Sequence, residues 1–251
     1  MSLNNICIIL VEPLGSLNIG SVSRAMMNFG LSDLRLVNPK VSHLNDEARR
    51  MAVRSTVLLE KARIFPDLSQ ALADCHFSMA TTRRLGKYRG NYLVPDAAAR
   101  HLLPLAESGT VALVFGREDH GLSTSELDLC QRLICIPSHD DLRSLNLAQA
   151  VTVCLSQIFT EYKNSEEKEV SVRKLASSET LEGMYNHMCK TLVDVNYLDS
   201  QNPEHILRTF RAIFGRAELN EREVRVLHGL WSRMDWIEAE RRKGLNTDSN
   251  T

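Results

Sequence analysis

The sequence predicts an α/β fold: a parallel sheet covered by helices on both faces, followed by a small helical extension. Three features support this prediction. Short apolar runs rich in β-branched residues alternate with segments of helical periodicity through residues 1–162. A long amphipathic segment closes this part, and beyond it apolar residues recur only at helical spacing. Strands that alternate with helices favour a parallel sheet, because each crossover places a helix on one of its faces.

The first strand is predicted at 6–11, where ICIILV is apolar throughout and is followed by Glu12 and Pro13. An uninterrupted apolar run is typical of a strand that is buried on both faces. Similar runs predict further strands at 34–38, 62–65, 76–81, 111–115 and 133–137. Helical periodicity predicts helices at 19–30, 45–59, 67–73, 95–107, 123–131 and 146–162.

A change in composition after residue 162 divides the chain into three predicted parts. Residues 1–162 form the α/β domain, and the polar stretch 163–174 is typical of a linker. Residues 175–251 form a small helical domain, although the last eight, GLNTDSNT, are expected to be disordered. The predicted core positions of this domain are Leu181, Met184, Tyr185, Met188, Leu192, Ile206, Phe210, Ile213, Phe214, Val224, Leu227, Leu230, Met234 and Ile237.

The overall composition is that of an ordinary globular protein. Of the 251 residues, 43% are apolar and 24% are charged, and the formal net charge is −1. Such a small net charge creates no overall field that attracts nucleic acid, so an anionic ligand must be held by local arginines. No apolar run reaches the roughly 18 residues of a membrane span, and no leader is recognisable. We therefore expect a cytoplasmic protein without a membrane partner.

The six cysteines and eight histidines give no sign of a metal site. None of the cysteines forms a Cys-x-x-Cys pair, and most lie within apolar runs, which predicts buried reduced thiols. The histidines are scattered and lack the spacing of metal ligands. A metal enzyme is therefore not expected.

The stretch SLNIGSVSRAM (16–26) follows the first strand and opens a predicted helix. Gly15 and Gly20 have the spacing of a phosphate-binding loop, but Gly20 is followed by Ser-Val where that loop has Lys and then Ser or Thr. A nucleoside triphosphate site is therefore excluded. Asn18 is predicted to be the helix N-cap, and Gly20 lies one turn from Arg24, where it could leave room for a ligand. The alternative is an ordinary capped helix with a surface arginine.

The loop after the strand at 76–81 is the most cationic segment of the chain. It reads TTRRLGKYRG, with Arg83, Arg84, Lys87 and Arg89 around Tyr88. Positive groups with an aromatic ring between them suit a phosphate backbone and a stacked base. A solvated surface loop is the alternative interpretation.

Two further loops carry polar groups at strand ends. In GREDHGLS, Gly116 and Gly121 flank a charged tetrapeptide, and Ser123 is placed to cap the next helix. In SHDDLRSLNLAQAV, Asn146 begins the long helix and Ser144 is its predicted N-cap. Open α/β folds bind ligands at the carboxyl edge of the sheet, so these loops are expected to form one site.

Three of these segments resemble a known family. NIGSVSR (18–24), GREDHGL (116–122) and SLNLA (144–148) are similar, in order and spacing, to the three motifs of the SPOUT (SpoU-type) RNA ribose 2′-O-methyltransferases. The resemblance extends over 4–162. The strings ILVEP, LVNP and ALVFGRE, together with the helical tail, resemble the TrmJ branch, whose members methylate the ribose of a pyrimidine at nucleotide 32 of the tRNA anticodon loop.

The resemblance implies a trefoil knot in the C-terminal part of the α/β domain and a homodimer that shares its active sites. It further implies that S-adenosylmethionine binds within the knot and that tRNA is the substrate. A ribosomal RNA target and a non-catalytic RNA-binding module of the same fold are the alternatives. The implied cofactor-binding residues are Thr81, Thr82, Arg83, Gly116, Ile136, Arg143, Ser144, Leu145 and Asn146.

Catalytic roles follow from the same resemblance. Arg24 would face the cofactor of the partner subunit, hold a substrate phosphate and stabilise the developing alkoxide. Asn18 would position Arg24 or the ribose, Glu118 would brace the cofactor loop or Arg24, and Ser144 would orient a ligand with Asn146. The loop after Thr82 is more basic than the family requires, which suggests that Arg84, Lys87 and Arg89 contact RNA.

Overall fold

The computed structural model describes residues 3–83, 92–142, 144–165 and 174–248, with side chains up to residue 243. The chain divides into two compact units, Met1–Leu175 and Ala176–Thr251. None of the described helices is both long and apolar enough to span a bilayer. The six cysteines are free thiols, and three of them (Cys7, Cys75 and Cys154) are buried.

In the first unit, seven strands formed by the described residues make one sheet in the order β3-β2-β1-β6-β4-β7-β5. All the strand pairs are parallel, which confirms the predicted sheet. The strands are β1 Ile6–Val11, β2 Asp33–Val37, β3 Arg63–Phe65, β4 Phe77–Thr81, β5 Tyr92–Leu93, β6 Val111–Phe115 and β7 Arg132–Ile134. The edge strand β5 was missed, since two residues are too few to show a periodicity.

Helices cover both faces of this sheet, as predicted. They are α1 Ser16–Asn28, α2 Asp46–Ala52, α3 Thr56–Glu60, α4 Leu68–Leu72, α5 Pro95–Leu105, α6 Thr124–Asp128 and α7 Leu147–Asn164. Alternate residues of β1 point to opposite faces, so Ile8 packs in a core with α1, α5 and α7, whereas Ile9 packs in a second core with α4 and α6. Every residue of β1 is buried, because these two cores cover both faces of the strand.

The single helix predicted at 45–59 is wrong. A short 3₁₀ turn, Val53–Ser55, separates α2 from α3, and Val53 has a φ of 54°. The Ser55 hydroxyl donates to the Ala52 carbonyl at 2.7 Å, and the Ser23 hydroxyl of α1 donates to the Ser55 carbonyl at 2.8 Å. These buried bonds fix the break against α1. Apolar spacing alone could not reveal it, because the periodicity continues across the turn.

The second unit contains α8 Ser178–Asp194, α9 Glu204–Ala217 and α10 Glu221–Asp248. Leu181, Met184 and Met188 of α8 pack with Val224 and Trp231 of α10, as the periodicity predicted for all but Trp231. Four predicted core positions are instead exposed: Ile206, Ile213, Leu230 and Ile237. The expected disorder of residues 244–251 is wrong as far as Asp248, where α10 ends.

Two predictions about organisation are left open by the described residues. The trefoil knot stays a prediction, as do the boundaries of the linker 163–174. Its first residues, up to Asn164, belong to α7, and residues 166–173 lie outside the described part of the chain.

Candidate active site

The carboxyl ends of β4, β6 and β7 meet at a cleft of about 210 Å³ in the first unit. Three stretches of chain line it: the residues after β4, the loop after β6, and the stretch that leads from the end of β7 into α7. Parallel neighbouring strands bring these ends to one edge of the sheet. The lining residues are Thr81, Thr82, Arg83, Phe115, Gly116, Arg117, Glu118, Asp119, His120, Gly121, Leu122, Ile134, Ile136, Ser144, Leu145, Leu147 and Ala150.

Most of the residues predicted to hold the cofactor lie on this cleft. Those are Thr81, Thr82, Arg83, Gly116, Ile136, Ser144 and Leu145. Asn146 is not among the lining residues and instead caps α7, while Arg143 lies outside the described residues. The sequence interpretation missed the strand residues Phe115 and Ile134, the α7 residues Leu147 and Ala150, and the loop residues Arg117, Asp119, His120, Gly121 and Leu122. The helical spacing of Leu147 and Ala150 indicated only core, since periodicity does not distinguish a core face from a cleft wall.

The loop after β6 turns back sharply on itself. A Cβ on Gly116 would lie 2.2 Å from the carbonyl carbon of Gly121 and 2.4 Å from the amide of Leu122. Gly121 has a φ of 70°, and its amide donates to the Arg117 carbonyl at 3.0 Å. Both positions therefore require glycine, one for close backbone approach and the other for its conformation. The turn brings backbone of this loop to the cleft wall.

Glu118 connects this loop to the start of α1. Its carboxylate accepts three hydrogen bonds: from the Leu14 amide at 2.9 Å, the Gly15 amide at 3.0 Å and the Asn18 side-chain amide at 2.7 Å. The Asn18 carbonyl oxygen in turn accepts from the Asn146 side-chain amide at 2.9 Å. Three segments that are far apart in sequence, each from one predicted motif, are thus joined in one chain of hydrogen bonds.

Two predicted helix caps are wrong. The N-cap of α1 is Gly15, and Asn18 is the third helical residue, whose side chain turns to Glu118 instead of to its own helix. The N-cap of α7 is Asn146, not Ser144, and its side-chain oxygen accepts from the Ala148 amide at 2.9 Å. The cap predicted for α6 is confirmed, because Ser123 forms a capping box there.

The position of Gly20 also differs from the sequence interpretation. A Cβ there would lie 2.2 Å from the Ala48 carbonyl oxygen and 2.9 Å from the Met51 Cβ. Gly20 therefore lets α2 approach α1 and leaves no room for a ligand. Arg24 is exposed on α1 and does not line the cleft. Within the described residues its side chain has no hydrogen bond or ion pair.

Arg117 anchors the loop after β6, a role that the sequence interpretation did not assign. Its side chain is only 12% exposed; Nε donates to Glu12 at 2.7 Å, and the two terminal nitrogens donate to Glu126, each at 2.9 Å. Hydrogen bonds from Lys40 and from Arg117 lower the pKa of Glu12 to about 2. The bond to Glu126 raises the pKa of Arg117 above its ordinary value. The clamp ties the β6 loop to the end of β1 and to α6.

The remaining predicted residues give less information. Arg83 is exposed at the cleft. Arg84, Lys87 and Arg89 lie outside the described residues. Over the described ranges, no three side chains of His, Cys, Asp or Glu come together in a group that could hold a metal ion.

Comparison with known proteins identifies the class to which this fold and cleft belong. Residues 5–156 match the model of the SpoU rRNA Methylase family. This match covers more than half of the chain, and it contains each of the three segments that meet at the cleft. The protein therefore belongs to the SpoU methylase family.

The second unit and the full-length relatives narrow this assignment. Residues 179–246 match the C-terminal domain of tRNA methyltransferase TrmJ. The tRNA (cytidine/uridine/adenosine-2′-O-)-methyltransferase TrmJ of Pseudomonas aeruginosa (strain UCBPP-PA14) is 34% identical over 239 residues, which are 91% of this chain and 93% of that protein. The tRNA (cytidine-2′-O-)-methyltransferase TrmJ of Methanocaldococcus jannaschii is 35% identical over 212 residues, 84% of this chain and 90% of that one. The crystal structure of TrmJ from Z. mobilis ZM4 superposes with a TM-score of 0.79 at 34% identity, covering 91% of this chain and 98% of that one. Within the SpoU methylases, the chain is a member of the TrmJ branch.

Proposed function

We propose that this protein transfers a methyl group from S-adenosylmethionine to the 2′-hydroxyl of a ribose in tRNA, at the pyrimidine in position 32 of the anticodon loop. The observation that carries the proposal is the hydrogen-bonded chain of Glu118, Asn18 and Asn146 beside the cleft. It joins the three motif segments of a SpoU-type methylase in one place. The TrmJ relatives, named as tRNA 2′-O-methyltransferases, support tRNA as the substrate.

The lining of the cleft supports S-adenosylmethionine as the ligand. Its walls combine polar loop groups, such as those around Thr82 and Ser144, with apolar side chains such as Ile136 and Leu145. A ligand with a charged amino-acid end and a flat adenine needs both kinds of wall. When bound, the cofactor supplies a methyl group on a positively charged sulfur, so a nearby hydroxyl can be methylated without a metal or a covalent intermediate.

Arg24 activates the ribose in this proposal. An arginine keeps its proton at neutral pH, so its guanidinium does not act as a general base. Its planar donors instead hold the phosphate next to the reacting ribose and stabilise the negative charge that develops on the sugar oxygen. A phosphate oxygen held in this way can accept the hydroxyl proton. Asn18, on the same helix, fixes the position of α1 relative to the cleft loop through its hydrogen bond to Glu118.

A homodimer is part of the proposal. Arg24 does not line the cleft of its own chain, and in this proposal it reaches the cleft of a second copy. Leu17 and Met27 lie near it on α1 and are 47% and 39% exposed. An apolar surface around an exposed arginine suits an interface between subunits. We place the enzyme in the cytoplasm, where its substrate is processed.

The experiment is a transfer assay with labelled S-adenosylmethionine and unmodified tRNA transcripts. We expect methylation of the ribose at nucleotide 32, and no transfer to a transcript that carries a 2′-deoxy sugar at this position alone. Transfer to ribosomal RNA but not to tRNA would support the alternative of a ribosomal RNA methyltransferase. Binding of tRNA without transfer to any RNA would support the second, a non-catalytic binding module.

A further inference from the structure

The helix α10 carries a line of positive and aromatic side chains along its exposed face. Arg222, Arg225, Gly229, Arg233 and Trp236 follow each other at intervals of three or four residues, so they share one face. We call this line the α10 stripe. All five residues are exposed, and the opposite face, with Val224 and Trp231, is packed in the core of the second unit.

We propose that the α10 stripe is a binding surface for RNA, and that it holds the sugar–phosphate backbone of the tRNA substrate. The proposal rests on the proposed function for its choice of RNA. Its evidence is independent of the cleft, because it comes from the second unit alone.

The arginines of the stripe are available to a ligand. Over the described residues, the side chains of Arg222, Arg225 and Arg233 have no ion-pair or hydrogen-bond partner. The acidic side chains described on the same helix have other partners. Glu221 accepts from Thr180 at 3.2 Å, Glu223 accepts from the Asn220 amide at 2.8 Å, and Asp235 lies 3.0 Å from His187. Glu238 pairs with Arg241 and Arg242, and Glu240 pairs with Lys243, all at 2.7 Å. The stripe thus keeps an excess positive charge, whereas the chain as a whole is nearly neutral. Unpaired guanidinium groups in a line suit successive phosphates.

Trp236 adds a stacking surface to these charges. Trp236 is 52% exposed, and the guanidinium carbon of Arg233 lies 4.0 Å from the centroid of its ring. The cation–π contact holds the indole without burying it. An exposed indole beside arginines can stack on an unpaired base while the arginines hold its phosphates.

Gly229 lies in the middle of the stripe. A Cβ at this position would meet nothing within 4 Å, so packing within the chain does not require glycine there. An exposed glycine inside a helix is destabilising relative to alanine. The missing side chain leaves the helix surface low between Arg225 and Arg233, where a backbone can approach closely.

An interface between two copies is the competing interpretation, since Val226, Leu230 and Ile237 are exposed next to the stripe. A symmetric pair would bring the same surface of both chains together. Such contact would oppose the arginines of one copy to those of the other, whereas each carboxylate described on α10 already has a partner within its own chain. An RNA strand supplies the opposite charge, and the apolar residues can border its sugars.

The first experiment uses Gly229→Glu in the full-length protein, with Gly183→Glu as its matched control. Gly183 is also an exposed helical glycine with nothing within 4 Å, but it lies on α8. Both changes remove one glycine from a helix and add one negative charge. We expect Gly229→Glu to weaken the Kd for unmodified tRNA about tenfold, while Gly183→Glu changes it less than about twofold. Equal Kd values for the two variants would overturn the proposal, and unfolding curves establish that both are folded.

A second experiment replaces Arg222, Arg225 and Arg233 by Gln and measures tRNA binding across a salt series. Its control replaces the ion-paired surface arginines Arg49, Arg63 and Arg100 by Gln. We expect the stripe variant to lower the slope of log K against log salt by about 2–3, and the control to leave it unchanged. An unchanged slope would overturn the proposal.

Binding of S-adenosylmethionine and the oligomeric state complete the test. Both should be unchanged in the stripe variants. A shift in oligomeric state with an unaltered affinity for tRNA would assign the surface to contact between copies and overturn the RNA interpretation. If the wild-type protein binds tRNA but transfers no methyl group, the proposed function fails, while the stripe is still judged by its own salt slope.

Discussion

The side-chain amide of Asn18 donates to Glu118 at 2.7 Å while its carbonyl oxygen accepts from Asn146 at 2.9 Å. Each polar group of this one side chain thus has a partner from a different motif segment. The bond orders Glu118 at the cleft wall, and it orders the first turn of α1, the helix that also carries Arg24. Asn18 therefore links the cleft wall, through Glu118, to the helix that carries the proposed catalytic arginine.

Glu118→Gln tests this arrangement. The carboxylate accepts from the amides of Leu14, Gly15 and Asn18, but the NH₂ group of glutamine cannot accept, so at least one of these donors loses its partner. We expect a loss of about 1–3 kcal/mol in the free energy of unfolding, together with a large loss of transfer activity. Glu60→Gln, which breaks an exposed ion pair with Arg49, is the control and should change stability by less than about 1 kcal/mol. Equal effects of the two changes, measured by urea unfolding, would show that the network does not hold the loop.

Arg24→Ala tests the proposed role in transfer. Because Arg24 is exposed and has no hydrogen-bond or ion-pair partner among the described residues, its removal should leave stability and the Kd for S-adenosylmethionine unchanged. Loss of a donor that stabilises charge in the transition state should lower kcat about 100-fold or more. Arg24→Lys keeps the charge but not the planar fork, so it should restore only part of the rate. Wild-type turnover by Arg24→Ala would refute the assignment.

Mixing two inactive variants tests whether Arg24 acts on the other subunit. Ile136→Trp places a large ring in the cleft and should block cofactor binding. A heterodimer of Arg24→Ala with Ile136→Trp contains one intact site if the arginine crosses to the partner, so random mixing should recover about a quarter of the wild-type activity. If Arg24 acts within its own chain, the mixture stays inactive. The measurement is transfer activity against mixing ratio after subunit exchange.

Acid should weaken the clamp formed by Arg117. The pKa of Glu12 lies near 2 because of hydrogen bonds from Lys40 and Arg117. Burial alone would raise the pKa of Glu126, but hydrogen bonds led by that from Arg117 bring it below its ordinary value. A carboxyl group with a lowered pKa stabilises the fold above its unfolded pKa of 4.5, and this contribution is lost as the pH falls toward the folded value of about 2.

Arg117→Gln should therefore flatten the acid side of the stability profile of the first unit, besides lowering stability at neutral pH. Both tryptophans, Trp231 and Trp236, lie in the second unit, so tryptophan fluorescence would not follow the first unit. Circular dichroism is therefore the suitable probe. Arg100→Gln, which removes the partner of the exposed Asp96, is the control and should leave the profile nearly unchanged. Parallel profiles for wild type and Arg117→Gln between neutral pH and about pH 2 would contradict the clamp.

The sequence predicted the parallel sheet and the meeting of the loops at its carboxyl edge because these depend on patterns that a strand or helix carries by itself. Buried strands such as β1 show as apolar runs, and parallel strands place their following loops together. The motif segments around Asn18, Glu118 and Asn146 could be found since each lies directly after a predicted strand or at the start of a predicted helix.

Features that depend on distant partners could not be read in this way. Asn18 looked like a cap because its competing partner, Glu118, lies one hundred positions away. Gly20 looked like space for a ligand because nothing local shows that the Ala48 carbonyl occupies that space. Periodicity likewise placed Leu230 and Ile237 in the core of the second unit, although both are exposed on α10.

Val53→Gly should stabilise the protein, because Val53 adopts a φ of 54° with a ψ of −111° between α2 and α3. A β-branched residue is strained at positive φ, whereas glycine adopts this region freely. Val53 is 56% exposed, so the change removes little apolar contact. We expect the free energy of unfolding to rise by about 1 kcal/mol, since strain of this kind costs of order 1–3 kcal/mol and glycine gives part of that gain back as entropy.

Val57→Gly in α3, at an exposed helical position, is the matched control and should lower stability by roughly 0.5–1 kcal/mol. Loss of stability in both variants, measured by thermal unfolding, would show that the backbone at Val53 is not strained.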